Sequence, residues 1–149
     1  MKSVRVFAPA SIANLGCGFD IMGLALDEVG DVLEMSISEG DGLSIVNCSG
    51  VPLPDDIEKN VITPVVRKFL QMTGNTAQVD ITIRQKIYPG SGIGSSSASS
   101  AAAAFGMAFV LAACSGTVES ERPGGGKWRD SDITDSVSEN ETVRLQDDF

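Results

Sequence analysis

Residues 89–104 read Pro-Gly-Ser-Gly-Ile-Gly-Ser-Ser-Ser-Ala-Ser-Ser-Ala-Ala-Ala-Ala, a glycine-and-serine run that passes without a break into an alanine run. Gly90, Gly92 and Gly94 lack a Cβ, so the backbone there can take positive φ and approach another group closely. Ser95, Ser96 and Ser97 offer N-cap hydroxyls for a helix. The first amides of such a helix have no intrahelical acceptor. A loop of this kind at a helix N-terminus binds anions, phosphate above all. The competing reading is a flexible Gly/Ser connector. A connector rarely leads straight into a long apolar helix. The run is not a Walker A loop, because no Gly-Lys-Ser/Thr closes it. It is not a dinucleotide fingerprint either, because no acidic residue follows at the right distance in a second strand.

The 149 residues suffice for one domain with its own core, and 42% of them are hydrophobic. The formal net charge of −9 argues against nucleic acid and against anionic membrane. Histidine is absent, which removes the commonest general base and metal ligand. Acid–base or metal chemistry must then use carboxylates, lysine, hydroxyls or thiols. Cys17, Cys48 and Cys114 are widely spaced and form no Cys-x-x-Cys. They fit a reduced, cytoplasmic setting, with Cys17 and Cys114 expected as small buried hydrophobes. Leu111-Ala-Ala-Cys114 imitates a lipoprotein box, but it lies deep in the chain. The apolar run before it is Ala- and Ser-rich, a weak membrane span.

Taken in order, Ser3 to Pro9 alternates as a strand. Residues 10–20 read as a polar, glycine-bearing loop. Phe19 to Leu26, Asp31 to Ser38 and Leu43 to Cys48 read as three more strands. Gly40-Asp-Gly42 signals a tight hairpin between the last two. Asn60 is a good N-cap for a helix from Val61 to about Thr73, with Val61, Val65, Phe69 and Met72 at helical spacing and Gly74 as its stop. Gln78 to Lys86 alternates strictly, with Val79, Ile81 and Ile83 inward. The opening loop then leads into a helix from about Ser95 to Cys114, apolar nearly all round and expected to be buried. Residues 115–149 hold nine acidic and four basic residues and almost no apolar period, which reads as a disordered acidic tail.

Two stretches together resemble a known family. Pro9-Ala-Ser-Ile-Ala-Asn-Leu-Gly-Cys-Gly-Phe-Asp-Ile-Met-Gly-Leu-Ala-Leu26 is similar to the N-terminal signature of homoserine kinases. Pro89-Gly-Ser-Gly-Ile-Gly-Ser-Ser-Ser-Ala98 is similar to the phosphate loop of the wider GHMP kinases. The resemblance implies, over residues 1–114, an α+β domain of the ribosomal-protein-S5 domain 2-like type, a mostly antiparallel sheet with packed helices. It implies that Pro89, Gly90, Ser91, Gly92, Ile93, Gly94, Ser95, Ser96 and Ser97 wrap the phosphates of ATP. It implies that Ser96 helps to hold Mg²⁺ and that Asn60 lies near the adenine. It assigns Asn14 and Asp20 to L-homoserine, with Asp20 beside the hydroxyl that receives the phosphoryl group. The product is O-phospho-L-homoserine, on the route to threonine. Phosphoryl transfer needs positioning and charge neutralisation, both available without histidine. Without the resemblance, Asp20 reads as a carboxylate at a strand start satisfied by nearby backbone N–H groups, Asn14 as an ordinary turn residue, Asn60 as a helix cap, and Ser95 to Ser97 as capping serines.

The pattern also departs from the family. Cys17 stands where proline is common, and Ser97 where alanine is usual. Relatives are about twice as long and carry a later acidic Mg²⁺ ligand, a second glycine-rich motif and basic residues for the amino-acid carboxylate. Nothing after Cys114 matches these. The expectation is therefore a C-terminal GHMP domain absent from the sequence, impaired activity, and an uncovered apolar surface that favours a homodimer. A nucleotide-binding module that lost catalysis, or another small-molecule GHMP kinase, is the alternative.

Overall fold

Val4, Val6, Ala8 and Ala10 alternate along the first strand, and all four are buried. This strand, β1 (Lys2–Leu15), is longer than its alternating part, and β2 (Gly18–Ser38) folds back on it antiparallel. A computed structural model describes residues 2–115 and 142–144. After β2 come β3 (Gly42–Asn47), a short 3-10 turn at Ile57–Lys59, α1 (Ile62–Thr73), β4 (Gln78–Gln85), α2 (Ser95–Ser115) and β5 (Thr142–Arg144). The sheet order is β3-β4-β2-β1-β5. The β1–β2 and β2–β4 pairs are antiparallel, and β3–β4 and β1–β5 are parallel. This is the expected α+β arrangement.

Leu33, Met35 and Ile37 of β2 face the same core as Val79, Ile81 and Ile83 of β4. The strict alternation in β4 is thus borne out. Ile62 and Val66 of α1, and Ala98, Ala102, Ala103, Met107 and Val110 of α2, complete one cluster. Small residues let α2 lie close on the sheet. A Cβ at Gly106 would stand 2.3 Å from Met35 Sδ.

Four local expectations change. The loop expected at residues 10–20 is strand on both sides of a tight turn at Gly16 and Cys17, because the chain keeps pairing to Leu15↔Gly18. The strands expected at Phe19 to Leu26 and Asp31 to Ser38 are one strand with an interruption, since pairing jumps from Pro9↔Gly30 to Ser11↔Ala25. The hairpin expected around Gly40 to Gly42 does not form. β4 occupies the place beside β2, where it buries Val79, Ile81 and Ile83, and β3 pairs with the outer edge of β4 through an α1 crossover. In α1 the buried stripe is Ile62, Thr63 and Val66, whereas Val61 is 38% and Met72 73% exposed.

Two boundary readings also move. α2 is long and apolar enough to cross a membrane, but one of its faces packs on β1, β2 and α1. It is not buried all round, because Phe105 is 36% exposed. Cys17 is exposed at the hairpin turn rather than buried. Of the stretch expected as disordered tail, Thr142–Arg144 is strand, and residues 116–141 and 145–149 lie outside the described residues.

Candidate functional site

The loop between β4 and α2 takes its shape from its glycines. Gly90, Gly92 and Gly94 have φ of 81°, 78° and 76°. A side chain at Gly90 or Gly92 would meet no atom within 4 Å, so the loop backbone there borders open space. Gly94 differs: a Cβ would lie 2.6 Å from Ser11 Oγ. The loop is therefore pressed against β1, and the Ser11 N–H donates to the Ile93 carbonyl at 3.1 Å.

The first bond of α2 runs from the Ala98 N–H to the Gly94 carbonyl at 2.9 Å. The amides of Ser95, Ser96 and Ser97 lie ahead of it, at the positive end of the helix dipole. Ser96 and Ser97 are exposed. Ser95 is not available in the same way. Its hydroxyl donates inward to the Ile87 carbonyl at 2.9 Å and accepts from Lys86 Nζ at 2.5 Å. Of the three serines, Ser96 and Ser97 thus have hydroxyls placed to meet an external anion or cation.

The second half of the site lies at the far end of the β1–β2 hairpin. Asn14 and Asp20 flank the hairpin turn, and both are exposed. Their φ values, 60° and 63°, lie in the left-handed region that non-glycine residues rarely adopt. The Asp20 N–H donates to Asn14 Oδ1 at 2.8 Å, which fixes the two residues to each other. Asn14 is three residues beyond Ser11, a rise of roughly 10 Å along a strand. β1 thus carries both the contact to the glycine loop and Asn14, with Asp20 held beside Asn14 from β2.

Asn60 sits apart, at the entry to α1. Its Oδ1 accepts the Ile62 N–H at 3.1 Å and its carbonyl accepts the Thr63 N–H at 3.1 Å. Asn60 thus closes a turn one residue ahead of the expected cap: α1 begins at Ile62, its N-cap position is Val61, and no side chain caps it there.

Three residues that sequence reasoning passed over hold the base of the loop. Asp31 is fully buried at the middle of β2. It accepts the Ile87 N–H at 2.7 Å and the Ser99 hydroxyl, and it pairs with Lys86 Nζ at 3.0 Å. Lys86 looked like the polar end of an alternating strand, and Asp31 like a strand start. No spacing rule links residues so far apart in the chain.

A divalent cation accompanying a nucleotide would find the Ser96 hydroxyl in this site. Mg²⁺ keeps several waters and takes most of its other ligands from phosphate and one or two carboxylates, so a single hydroxyl fits a partial role. Among the described residues there is no cluster of three or more Cys, Asp or Glu that would hold a metal by itself.

Known proteins resemble this chain in sequence and fold. Residues 60–119 match the GHMP kinases N terminal domain. A homoserine kinase of Pyrococcus abyssi is 41% identical over 107 residues, covering 72% of this chain and 35% of the relative. One from Methanococcus maripaludis is 39% identical over 108 residues, covering 72% and 36%. Among solved structures, a homoserine kinase from Cytophaga hutchinsonii superposes with a TM-score of 0.67 at 36% identity, over 74% of this chain and 36% of that one. The chain thus spans little more than a third of the length of these relatives.

Proposed function

We propose, from the match of residues 60–119 to the GHMP kinases N terminal domain and the likeness to homoserine kinases, that this chain forms the nucleotide- and hydroxyl-facing part of a homoserine kinase site. In this reading the glycine loop, Pro89 to Ser97, holds the phosphates of ATP through the amides ahead of the first α2 bond. Ser96 contributes a hydroxyl to Mg²⁺, which when bound neutralises charge on the transferring phosphoryl group. Asn60 stands near the base. Asn14 and Asp20 receive L-homoserine, and the Asp20 carboxylate orients the acceptor hydroxyl or takes its proton. The product is O-phospho-L-homoserine, and the setting is cytoplasmic.

The observation that carries the reading is the Ser11–Ile93 bond. It ties the phosphate-type loop to β1, the strand that carries Asn14, and Asn14 in turn accepts the N–H of Asp20 at the start of β2. Both Asn14 and Asp20 are exposed. A charge-stabilising site works best when water is excluded. The chain is expected to bind Mg²⁺–ATP and to turn homoserine over.

Two assays on the purified chain test this. Calorimetry should detect Mg²⁺–ATP binding that disappears in Gly94→Leu. ADP release should depend on homoserine and stop in Asp20→Asn. Nucleotide binding without any homoserine-dependent turnover would reduce the reading to a binding module. No nucleotide binding at all would overturn it.

A further inference from the structure

The mechanism above makes no use of the buried ion pair between Lys86 and Asp31, whose side chains are 6% and 0% exposed. Removing two charges from water is costly, and an apolar pair of similar volume often serves stability as well or better. A lysine at a helix N-terminus is also the wrong sign for the helix dipole. The pair is therefore not explained by the stability of α2.

Its contacts show what it joins. Lys86 Nζ donates to the Ile87 carbonyl at 3.1 Å, to the Ser95 carbonyl at 3.2 Å and to Ser95 Oγ at 2.5 Å, beside its pairing with Asp31. Asp31 in turn takes the Ile87 N–H and the Ser99 hydroxyl. The Ser99 hydroxyl also lies 3.2 Å from the Ser95 carbonyl. Ser95 Oγ closes the ring by donating to the Ile87 carbonyl. Ile87 is the last residue before the loop and Ser95 the first of α2. The network is thus a clasp across the neck of the loop that spans residues 88–94, anchored in the centre of β2. No buried side-chain nitrogen or oxygen among the described residues lacks a partner, so the clasp is saturated.

We propose that Lys86 and Asp31 are positioning residues that hold the neck of the glycine loop closed, so that its amides converge on the triphosphate of a nucleoside triphosphate. The proposal rests on the reading of Pro89 to Ser97 as the phosphate cradle. Its test has one readout that does not involve nucleotide.

Hydrogen exchange of the ligand-free chain is compared between wild type, Lys86→Met and Arg84→Met. Arg84 lies two residues earlier, inside β4, but pairs with Glu34 on the sheet face away from the core and has no part in the clasp. Lys86→Met is expected to speed exchange across residues 88–97 by about tenfold or more, with β1–β2 amides unchanged. Arg84→Met leaves the loop as in wild type. Mg²⁺–ATP affinity should fall by about tenfold in Lys86→Met and stay within about twofold in Arg84→Met. If Lys86→Met does not fold, Asp31→Asn/Lys86→Met leaves no lone buried charge and is read in the same way. Unchanged loop exchange in a folded variant overturns the proposal. Faster loop exchange in a chain whose wild type binds no nucleotide upholds the clasp and removes the phosphate reading.

Discussion

Asn14 and Asp20 face each other across the tip of the β1–β2 hairpin, joined by the Asp20 N–H donating to Asn14 Oδ1 at 2.8 Å, and each holds a left-handed backbone. The bond satisfies an amide that the turn would otherwise leave to solvent. It also makes Asn14 a support for Asp20, whatever else it binds. Asn14→Ala removes the acceptor and places alanine at φ 60°. The expected cost is about 1–2 kcal/mol, from the lost bond and the strained φ together. Asn14→Asp keeps an acceptor at the same place and should stay within about 0.5 kcal/mol. Urea midpoints of the two variants check this. Equal stabilities would mean that the bond does not hold the turn.

Gly94 is the tightest point between loop and strand. A methyl group there meets Ser11 Oγ at 2.6 Å and imposes a side chain at φ 76°. Gly94→Ala should cost about 2–3 kcal/mol. Gly90→Ala, at φ 81° with open space around the new methyl, should cost about 1 kcal/mol, the φ strain alone. Adding Ser11→Gly to Gly94→Ala removes the clash but not the strain. The double variant should therefore be more stable than the sum of its parts by about 1 kcal/mol. Strict additivity would show that Ser11 and Gly94 are not in contact.

Glu34 supplies the pH dependence. It lies on the sheet face away from the core, where Arg5 Nε donates to it at 2.8 Å and Arg84 Nε at 2.6 Å. Burial pushes its carboxyl up, but the hydrogen bonds and charges of Arg84 and Arg5 outweigh burial and hold it below the ordinary 4.5. A folded value below the unfolded one means that stability is fully present above the unfolded value and is lost as pH falls through the folded one. Glu34→Gln should thus lower stability at pH 7 by about 0.5–1 kcal/mol. The gap between variant and wild type should close on acidification below about pH 4. Thermal midpoints at neutral and acid pH test it; a gap that persists in acid assigns the effect to packing instead.

What the sequence made legible, and what it hid, follows from the range of each interaction. The glycine loop, the α2 start, the β4 alternation and the Gly74 stop all depend on residues a few positions apart. Gly74 does end α1 with φ 65°, and the Asn75 N–H bonds back to the Leu70 carbonyl. The partner of β3 was misread because a turn signal at Gly40 to Gly42 is local, whereas the choice between β2 and β4 is made by burial across the whole sheet. The clasp was invisible for the same reason: Asp31 and Lys86 are 55 residues apart. Asn14 and Asp20 were named only through family resemblance. Their local chemistry does not single them out, and the structure places them in β1 and β2 on either side of the Gly16–Cys17 turn, both with left-handed backbone.

The phase of α1 offers the cleanest check on that reasoning. Periodicity allowed a stripe through Val61, Val65, Phe69 and Met72, and an alternative one position later fits the same spacing. Packing against α2 selects the latter, with Ile62 and Val66 at 0% exposure. Val66→Ala should then cost about 2 kcal/mol, by removing buried methyls and leaving part of their volume empty. Met72→Ala, at a position 73% exposed, should change stability by less than about 0.5 kcal/mol. Denaturant midpoints for the two variants decide the matter. A larger loss at Met72 than at Val66 would place the other stripe in the core.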